Sequence, residues 1–159
     1  MVKTKDYIAL FAAIAISESA GLIGSASSIQ SIPIWYTTLT KPPLNPPGWV
    51  FGPVWTLLYA IMGIAAFMVW RKGTQHRAVK NALTVFGLQL VLNALWSVIF
   101  FGFRSPAAAL IEIIALWIAI VWTIILFYKI SRPAAWLLLP YILWVSFAVY
   151  LTAAVWYLN

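Results

Sequence analysis

The chain has no cysteine and few charged groups, and each shortage excludes a class of protein. Without cysteine, disulfides, thiolate metal ligands and cysteine nucleophiles are excluded across the 159 residues. Only 8% of the residues are charged, whereas a soluble domain has about 25%. One histidine and three acids in total leave hydrolytic and metal-assisted chemistry without its usual side chains. We therefore expect no metal site and no conventional enzyme.

Apolar residues are abundant, at 64% of the chain, and the mean hydropathy is +0.96. A membrane helix needs about 20 apolar residues, and five stretches reach that length. They are Tyr7–Ile29, Trp49–Trp70, Val79–Phe103, Ala107–Ile130 and Ala134–Leu158. The sequence predicts an all-α integral membrane protein in which residues 1–159 form one domain of five transmembrane helices.

The basic residues indicate how these helices are oriented. The net charge is +7, and most bases lie between apolar runs rather than in a patch with interleaved aromatics, so we expect no nucleic-acid partner. If the N-terminus lies on the inner side of the membrane, only Lys41 and Arg104 fall on the outer side, and the excess of basic residues on the inner side favours this orientation. The inner bases are Lys3, Lys5, Arg71, Lys72, Arg77, Lys80, Lys129 and Arg132. We expect a bacterial-type cell membrane, with the first loop outside.

The segment between the first two helices is rich in proline and aromatic residues. Its prolines fix the backbone and cannot continue a helix, and its rings exceed what a connector needs. These residues are Trp35, Tyr36, Pro42, Pro43, Pro46, Pro47 and Trp49. The pattern predicts a stiff cap attached directly to the second helix.

Aromatic and polar side chains recur on one face of three predicted helices. These stripes are Trp55, Tyr59 and Met62 on the second helix, Gln89, Asn93, Trp96 and Phe100 on the third, and Tyr141, Trp144, Ala148 and Leu151 on the fifth. If the stripes converge beneath the cap, they form an aromatic pocket for a flat, largely apolar ligand. Packing explains the tryptophans equally well, and interhelical hydrogen bonding explains the two amides.

Other tryptophans and small residues have simpler explanations. Trp35, Trp49, Trp70, Trp136 and Trp156 lie near expected membrane boundaries, where tryptophan is enriched. Trp117 and Trp122 have no polar neighbours in sequence, so we expect packing, lipid or subunit contacts for them. Gly63 with Ala66, and Ala107–Ala109, are candidates for a subunit contact.

Two carboxylates lie within apolar spans, where an acid is a functional hypothesis by default. Glu112 lies near the start of the fourth helix, where the helix dipole favours an anion, so we expect a structural role. Glu18 lies deeper, between Ser17 and Ser19. For Glu18, proton coupling, a polar ligand contact and an interhelical hydrogen bond remain open alternatives.

Several longer motifs resemble the translocator protein or tryptophan-rich sensory protein family, which includes the peripheral benzodiazepine receptor. They are W-Y-x-x-L-x-K-P at Trp35–Pro42, P-P-G-W-V-F at Pro46–Phe51, V-W-T-x-L-Y at Val54–Tyr59, N-x-x-W-S-x-x-F-F-G at Asn93–Gly102 and L-P-Y-x-L-W-x-x-F-A at Leu139–Ala148. The resemblance covers the chain from about residue 35 to residue 151. It implies a five-helix bundle, commonly a homodimer, with a pocket beneath the first loop.

The resemblance also implies ligands and the residues that contact them. Family members bind porphyrins such as protoporphyrin IX and haem, as well as isoquinoline carboxamides and benzodiazepines, and no further cofactor is required. The matching positions are Tyr36, Pro46, Trp55, Tyr59, Asn93, Trp96, Trp144, Ala148 and Leu151. Some members bind cholesterol, but Tyr150 is followed by no basic residue, which argues against the sterol pattern here.

Three functions from different classes follow. The leading hypothesis is a membrane receptor or carrier for porphyrins and for benzodiazepine- or isoquinoline-type ligands. The second is light-dependent porphyrin breakdown, for which Trp55 and Trp144 match the tryptophans implicated in similar proteins. The third is a small proton-coupled exporter that uses Glu18, against which the absence of an internal repeat speaks.

Overall fold

The protein is a bundle of long helices. The computed structural model describes residues 4–159, and all regular structure within that range is helical. The elements are α1 (Thr4–Ile34), a 3-10 turn (Tyr36–Thr38), α2 (Gly48–Trp70), α3 (Arg77–Ser97) continued by a π-helical turn (Val98–Gly102), α4 (Pro106–Ile130), α5 (Arg132–Leu137) and α6 (Leu139–Leu158). Counting α3 with its π turn and α5 with α6, five spans of the described chain are long and apolar enough to cross a membrane. The predicted all-α, five-helix membrane fold is confirmed.

The largest differences from the sequence-based expectation are the end of the first helix and a break in the last helix. The first helix was expected to end at Ile29, but α1 continues to Ile34 and carries Pro33 in its last turn. The last helix was expected to be continuous from Ala134, but it breaks at Leu138 into α5 and α6. Pro140 explains the break, since its nitrogen has no hydrogen to donate to a carbonyl one turn earlier.

The packing order of the helices leaves room at one end of the bundle. α1 packs against α2 and α3, α3 packs against α4, and α4 packs against α5 and α6. α2 packs extensively against α5 but has few contacts with α6. Residues 35–47 are called the cap loop from here on. The start of the last span, α5, contacts α2 at the end of the bundle opposite the cap loop, and α6 then leads toward the cap loop. α2 and α6 therefore diverge toward the cap-loop end. That divergence leaves space between α1, α2, α3 and α6.

Burial follows the pattern of a membrane bundle. The interior holds Met62 and Phe127, both fully buried, whereas Phe11, Ile111 and Leu143 are 76%, 74% and 69% exposed. Apolar side chains exposed to this extent on several helices would form large patches in water. Lipid is the solvent that accommodates them, as the composition predicts.

Gly63 marks the closest approach of α1 to α2. A Cβ added at Gly63 would lie 2.5 Å from the Cα of Ile14, so only glycine permits this crossing. Ala66 is buried as well. The expectation that these two residues form a subunit contact is therefore wrong, because their small side chains are used within the chain.

Candidate functional site

A cavity of about 910 Å³ lies beneath the cap loop, between α1, α2, α3 and α6. Its size is within the range of about 300–1,000 Å³ that is usual for small-molecule sites. Apolar and aromatic side chains make up most of its wall, with a few polar groups among them. This composition suits a ligand held mainly by stacking and oriented by a small number of hydrogen bonds.

The cavity brings together all nine residues that the sequence analysis proposed as ligand contacts. They are Tyr36 and Pro46 of the cap loop, Trp55 and Tyr59 of α2, Asn93 and Trp96 of α3, and Trp144, Ala148 and Leu151 of α6. Their role in binding stays a prediction. Three further members of the predicted stripes, Met62, Gln89 and Tyr141, do not border the cavity but lie buried behind it.

The cap loop is held together by contacts around Tyr36. Its hydroxyl donates to Oδ1 of Asn45 over 3.1 Å, and Nζ of Lys41 lies 4.7 Å from the centre of its ring. Lys41 also donates to the carbonyl of Leu39 over 3.1 Å. Burial raises the pKa of the Tyr36 phenol, and the hydrogen bond to Asn45 partly offsets the rise. The phenol therefore remains a neutral donor at neutral pH.

The π-helical turn attaches the cap loop to α3. A π turn inserts an extra residue into the helix and shifts the side chains that follow it, and here both Phe100 and Phe101 pack against the cap loop. The ring centres of Trp35 and Phe100 are 5.6 Å apart, as are those of Tyr36 and Phe101. Trp35, expected to be a membrane anchor, thus also packs within the protein.

The last residue of the chain forms a second attachment for the cap loop. The amide Oδ1 of Asn159 accepts from the backbone N–H of Thr40 over 2.9 Å, and its Nδ2 donates to the carbonyl of Thr40 over 3.0 Å. The same Nδ2 lies 2.8 Å from the carbonyl of Val155. The end of α6 and the cap loop are therefore connected directly.

A chain of hydrogen bonds forms the polar floor of the cavity. The hydroxyl of Tyr59 donates to Oδ1 of Asn93, Nδ2 of Asn93 donates to the hydroxyl of Tyr141 over 2.9 Å, and Tyr141 donates to Oε1 of Gln89 over 2.8 Å. These bonds link α2, α3 and α6. Gln89 therefore acts between helices, while Asn93 does so and borders the cavity as well.

The aromatic wall rises directly from this floor. Trp55 stacks on Tyr59 with ring centres 5.5 Å apart, and Phe51 contacts Trp144 edge-on at 6.1 Å. The indole Nε1 of Trp96 is buried, and none of residues 4–159 offers it an acceptor. Trp96 therefore borders the cavity with its ring, while its N–H is buried and unpaired.

The sequence analysis missed most of the wall that α1 supplies. Glu18, Gly21, Ser25 and Ser28 all border the cavity. Their spacing of three, four and three residues is the period of one helical face and was the available signal. A Cβ added at Gly21 would overlap the ring of Tyr59, so this glycine lets α1 approach α2 beside the cavity.

α4 carries two residues whose surroundings are informative although they do not border the cavity. Glu112 is buried, and neither of its carboxyl oxygens has a hydrogen-bond partner in the described part of the chain. Trp117 was expected to lack polar neighbours, but its Nε1 donates to Oγ of Ser146 over 2.9 Å. That partner belongs to α6, and α4's own sequence gives no sign of it.

No metal chemistry is indicated by the part of the chain that the structure covers. From residue 4 onward, no three His, Cys, Asp or Glu side chains come together as a group that would hold a metal ion. The site is therefore described by its rings, its amide and hydroxyl groups, and two charged side chains, Glu18 and Lys41.

Comparison with known proteins agrees with this geometry. The model of the TspO/MBR family matches residues 12–158. The tryptophan-rich protein TspO of Chlorobaculum tepidum is 43% identical over 155 residues, which cover 98% of each chain. The protein of the same name from Archaeoglobus fulgidus is also 43% identical, over 97% of this chain and 99% of its own. The human translocator protein is 40% identical over 77% of this chain and 73% of its own.

The family model's match, residues 12–158, includes the cap loop, the π turn and all or most of each of the five membrane spans. The chain belongs to the TspO/MBR family of five-helix membrane proteins.

Proposed function

We propose that this protein is a membrane receptor or carrier that binds porphyrins, such as protoporphyrin IX and haem, and flat ligands of the benzodiazepine and isoquinoline type. Membership of the TspO/MBR family supports the membrane receptor role. The observation that carries the choice of ligand is the 910 Å³ cavity with its wall of aromatic rings. Porphyrin or haem is the ligand in this proposal and not a resident cofactor.

The wall offers a complementary contact to each part of such a ligand. A flat ring system stacks against the Trp55–Tyr59 pair and packs against the ring of Trp96. Lys41 is the one basic side chain bordering the cavity among residues 4–159. A ligand carboxylate, such as a porphyrin propionate, is therefore expected to lie at the cap loop.

Tryptophan emission tests the proposal directly. Protein in lipid nanodiscs is titrated with protoporphyrin IX in the dark, with empty discs as the reference for partition into lipid. We expect saturable quenching, which Trp55→Phe and Trp96→Phe weaken and Trp136→Phe does not, since Trp136 is 64% exposed and outside the cavity. Quenching that rises linearly and matches empty discs would contradict the proposal.

Light-dependent breakdown of the bound porphyrin is a second candidate function. It is favoured by the placement of Trp55 and Trp144 on the cavity wall, with Trp55 stacked on a hydrogen-bonded tyrosine. In this reaction, dioxygen adds across one methine C=C bond of the excited ring and the bond breaks. Both oxygen atoms remain in the product as carbonyl groups, so no external reductant is consumed. The catalytic residues would be Trp55 and Trp144.

Illumination separates the two functions. Stable porphyrin absorbance in protein-filled discs supports a receptor or carrier. Bleaching that the protein accelerates, and that Trp144→Phe slows while Trp136→Phe does not, supports breakdown.

We also propose that the N-terminus lies inside, the cap loop outside, and that two copies associate in a bacterial-type cell membrane. The distribution of basic residues supports the orientation; of the bases used for it, Lys3 lies outside the described residues. The exposed small residues Ala107 and Ala108 of α4 support a helix–helix contact between copies. Sterol is not among the proposed ligands.

A further inference from the structure

Glu18 is a carboxylate on the cavity wall for which residues 4–159 supply no hydrogen-bond or ion-pair partner. α1 has 31 residues, and Glu18 lies roughly 24 Å from its cap-loop end by helical rise, in the middle of a membrane span. Its side chain is half-buried and borders the cavity. Since charged groups at this depth are expensive unless paired, a carboxylate here indicates a partner that enters the cavity.

The neighbouring hydroxyl groups do not serve this carboxylate. Ser17 and Ser19 donate to carbonyls of α1 itself, those of Ala13 and Ile16, over 3.0 and 2.6 Å. The hydroxyl of Tyr59, which faces α1 across Gly21, donates to Asn93 instead. These three hydroxyl groups are thus already committed to other acceptors.

Within residues 4–159, no basic side chain forms an ion pair with Glu18 either. Lys41 alone among the described bases borders the cavity, and it belongs to the cap loop beyond the far end of α1. There it is held by the Leu39 carbonyl and the Tyr36 ring. The cavity therefore has a cation at its cap end and a carboxylate near its middle, with no ion pair between them.

We propose that Glu18 is a specificity-determining residue of the cavity, whose carboxylate accepts a hydrogen bond from a protonated amine or N–H group of a flat aromatic ligand. The ring of Tyr59 lies against Gly21, three residues from Glu18. Together with the stacked ring of Trp55 it supplies ring faces that attract a cation. A charge-assisted hydrogen bond is about twice as strong as a neutral one. This inference rests on the proposal that the cavity binds flat aromatic ligands, and it adds which of them are preferred.

Two probes of the same shape test the inference. 1-Pyrenemethylamine is cationic at neutral pH, and 1-pyrenemethanol is its neutral counterpart. Each is titrated into protein in phosphatidylcholine nanodiscs, with energy transfer from tryptophan to pyrene as the signal and empty discs as the reference. The variants are Glu18→Gln, which preserves shape, and Asp6→Asn, which removes the same charge from the same helix. Asp6 lies about 18 Å along α1 from Glu18 by helical rise and does not border the cavity.

The two probes are expected to respond differently. Glu18→Gln should weaken binding of the amine roughly 10- to 100-fold, the loss of one hydrogen bond to a charged group. The affinity for the alcohol should fall by less than about threefold, because a neutral hydrogen bond contributes less than a charged one. Asp6→Asn should leave the affinities for both probes unchanged. An unchanged affinity for the amine, or an equal loss of affinity for both probes, would overturn the proposed role of Glu18 but not the proposed aromatic site. If neither probe bound saturably to the wild type, the proposed aromatic site would fall and the inference with it.

Discussion

The hydrogen bond between Tyr59 and Asn93 should be a measurable part of the protein's stability, because it joins α2 to α3 beside the cavity. In Asn93→Leu, the buried hydroxyl of Tyr59 loses its acceptor and that of Tyr141 loses a donor. A buried polar group left unpaired costs about 1–3 kcal/mol in water-soluble proteins, and interhelical bonds in membranes average about 0.6 kcal/mol, reaching about 1.7. We therefore expect Asn93→Leu to lower the free energy of unfolding by about 1–2 kcal/mol.

A double-mutant cycle isolates this bond from other effects of the substitution. Equilibrium unfolding in mixed detergent micelles is measured for Asn93→Leu, Tyr59→Phe and the pair. Because either single change already breaks the bond, the losses should be less than additive by about 1 kcal/mol. Tyr36→Phe combined with Asn93→Leu is the matched control, since Tyr36 bonds to Asn45 and shares no partner with Asn93. Additivity within about 0.3 kcal/mol in the Tyr59 cycle would refute the reasoning.

Three other changes give outcomes of different kinds. Gly63→Ala should destabilise the protein by about 1–3 kcal/mol through overpacking against Ile14, whereas Gly87→Ala, with open space at its Cβ, should be neutral or stabilising in the same unfolding assay. Asn159→Ala removes both hydrogen bonds between Asn159 and Thr40 of the cap loop. It should speed ligand dissociation about fivefold, the equivalent of about 1 kcal/mol, in stopped-flow displacement; an unchanged rate would mean that this attachment does not control release. Trp96→Phe removes an unpaired buried N–H, so it should not lower the free energy of unfolding in the unfolding assay; a loss of stability would show that the N–H has a partner within the protein.

Much of the site is readable from periodicity. Trp55 and Tyr59, Asn93 and Trp96, and Trp144 and Ala148 recur at helical spacing in apolar spans, and short connections constrain which helices are neighbours. Once the proline-rich segment is recognised as a rigid cap, these faces have one natural place to converge. The seven residues that periodicity picked out border one cavity, together with Tyr36 and Pro46, which the family resemblance added.

The features that sequence reasoning missed depend on contacts between distant segments or on small residues. The bonds between Asn159 and Thr40 join positions 119 apart, and neither residue has a distinctive context. The π turn at Val98–Gly102 differs from an α-helix by one residue of register, which composition does not reveal. The contribution of α1 to the cavity wall was missed because Gly21, Ser25 and Ser28 are small residues, which stand out neither in the periodicity of aromatic residues nor in the hydropathy.

The central claim is that the space beneath the cap loop, between α1, α2, α3 and α6, is where the ligand binds. Filling it tests that claim most directly, by porphyrin absorbance titration of Ala148→Trp against Ala115→Trp in the dark. Ala148 borders the cavity, whereas Ala115 is exposed on α4 and does not. The account predicts that Ala148→Trp abolishes saturable binding of protoporphyrin IX while Ala115→Trp binds as the wild type does. Equal saturable binding by both variants would place the ligand elsewhere and contradict the account.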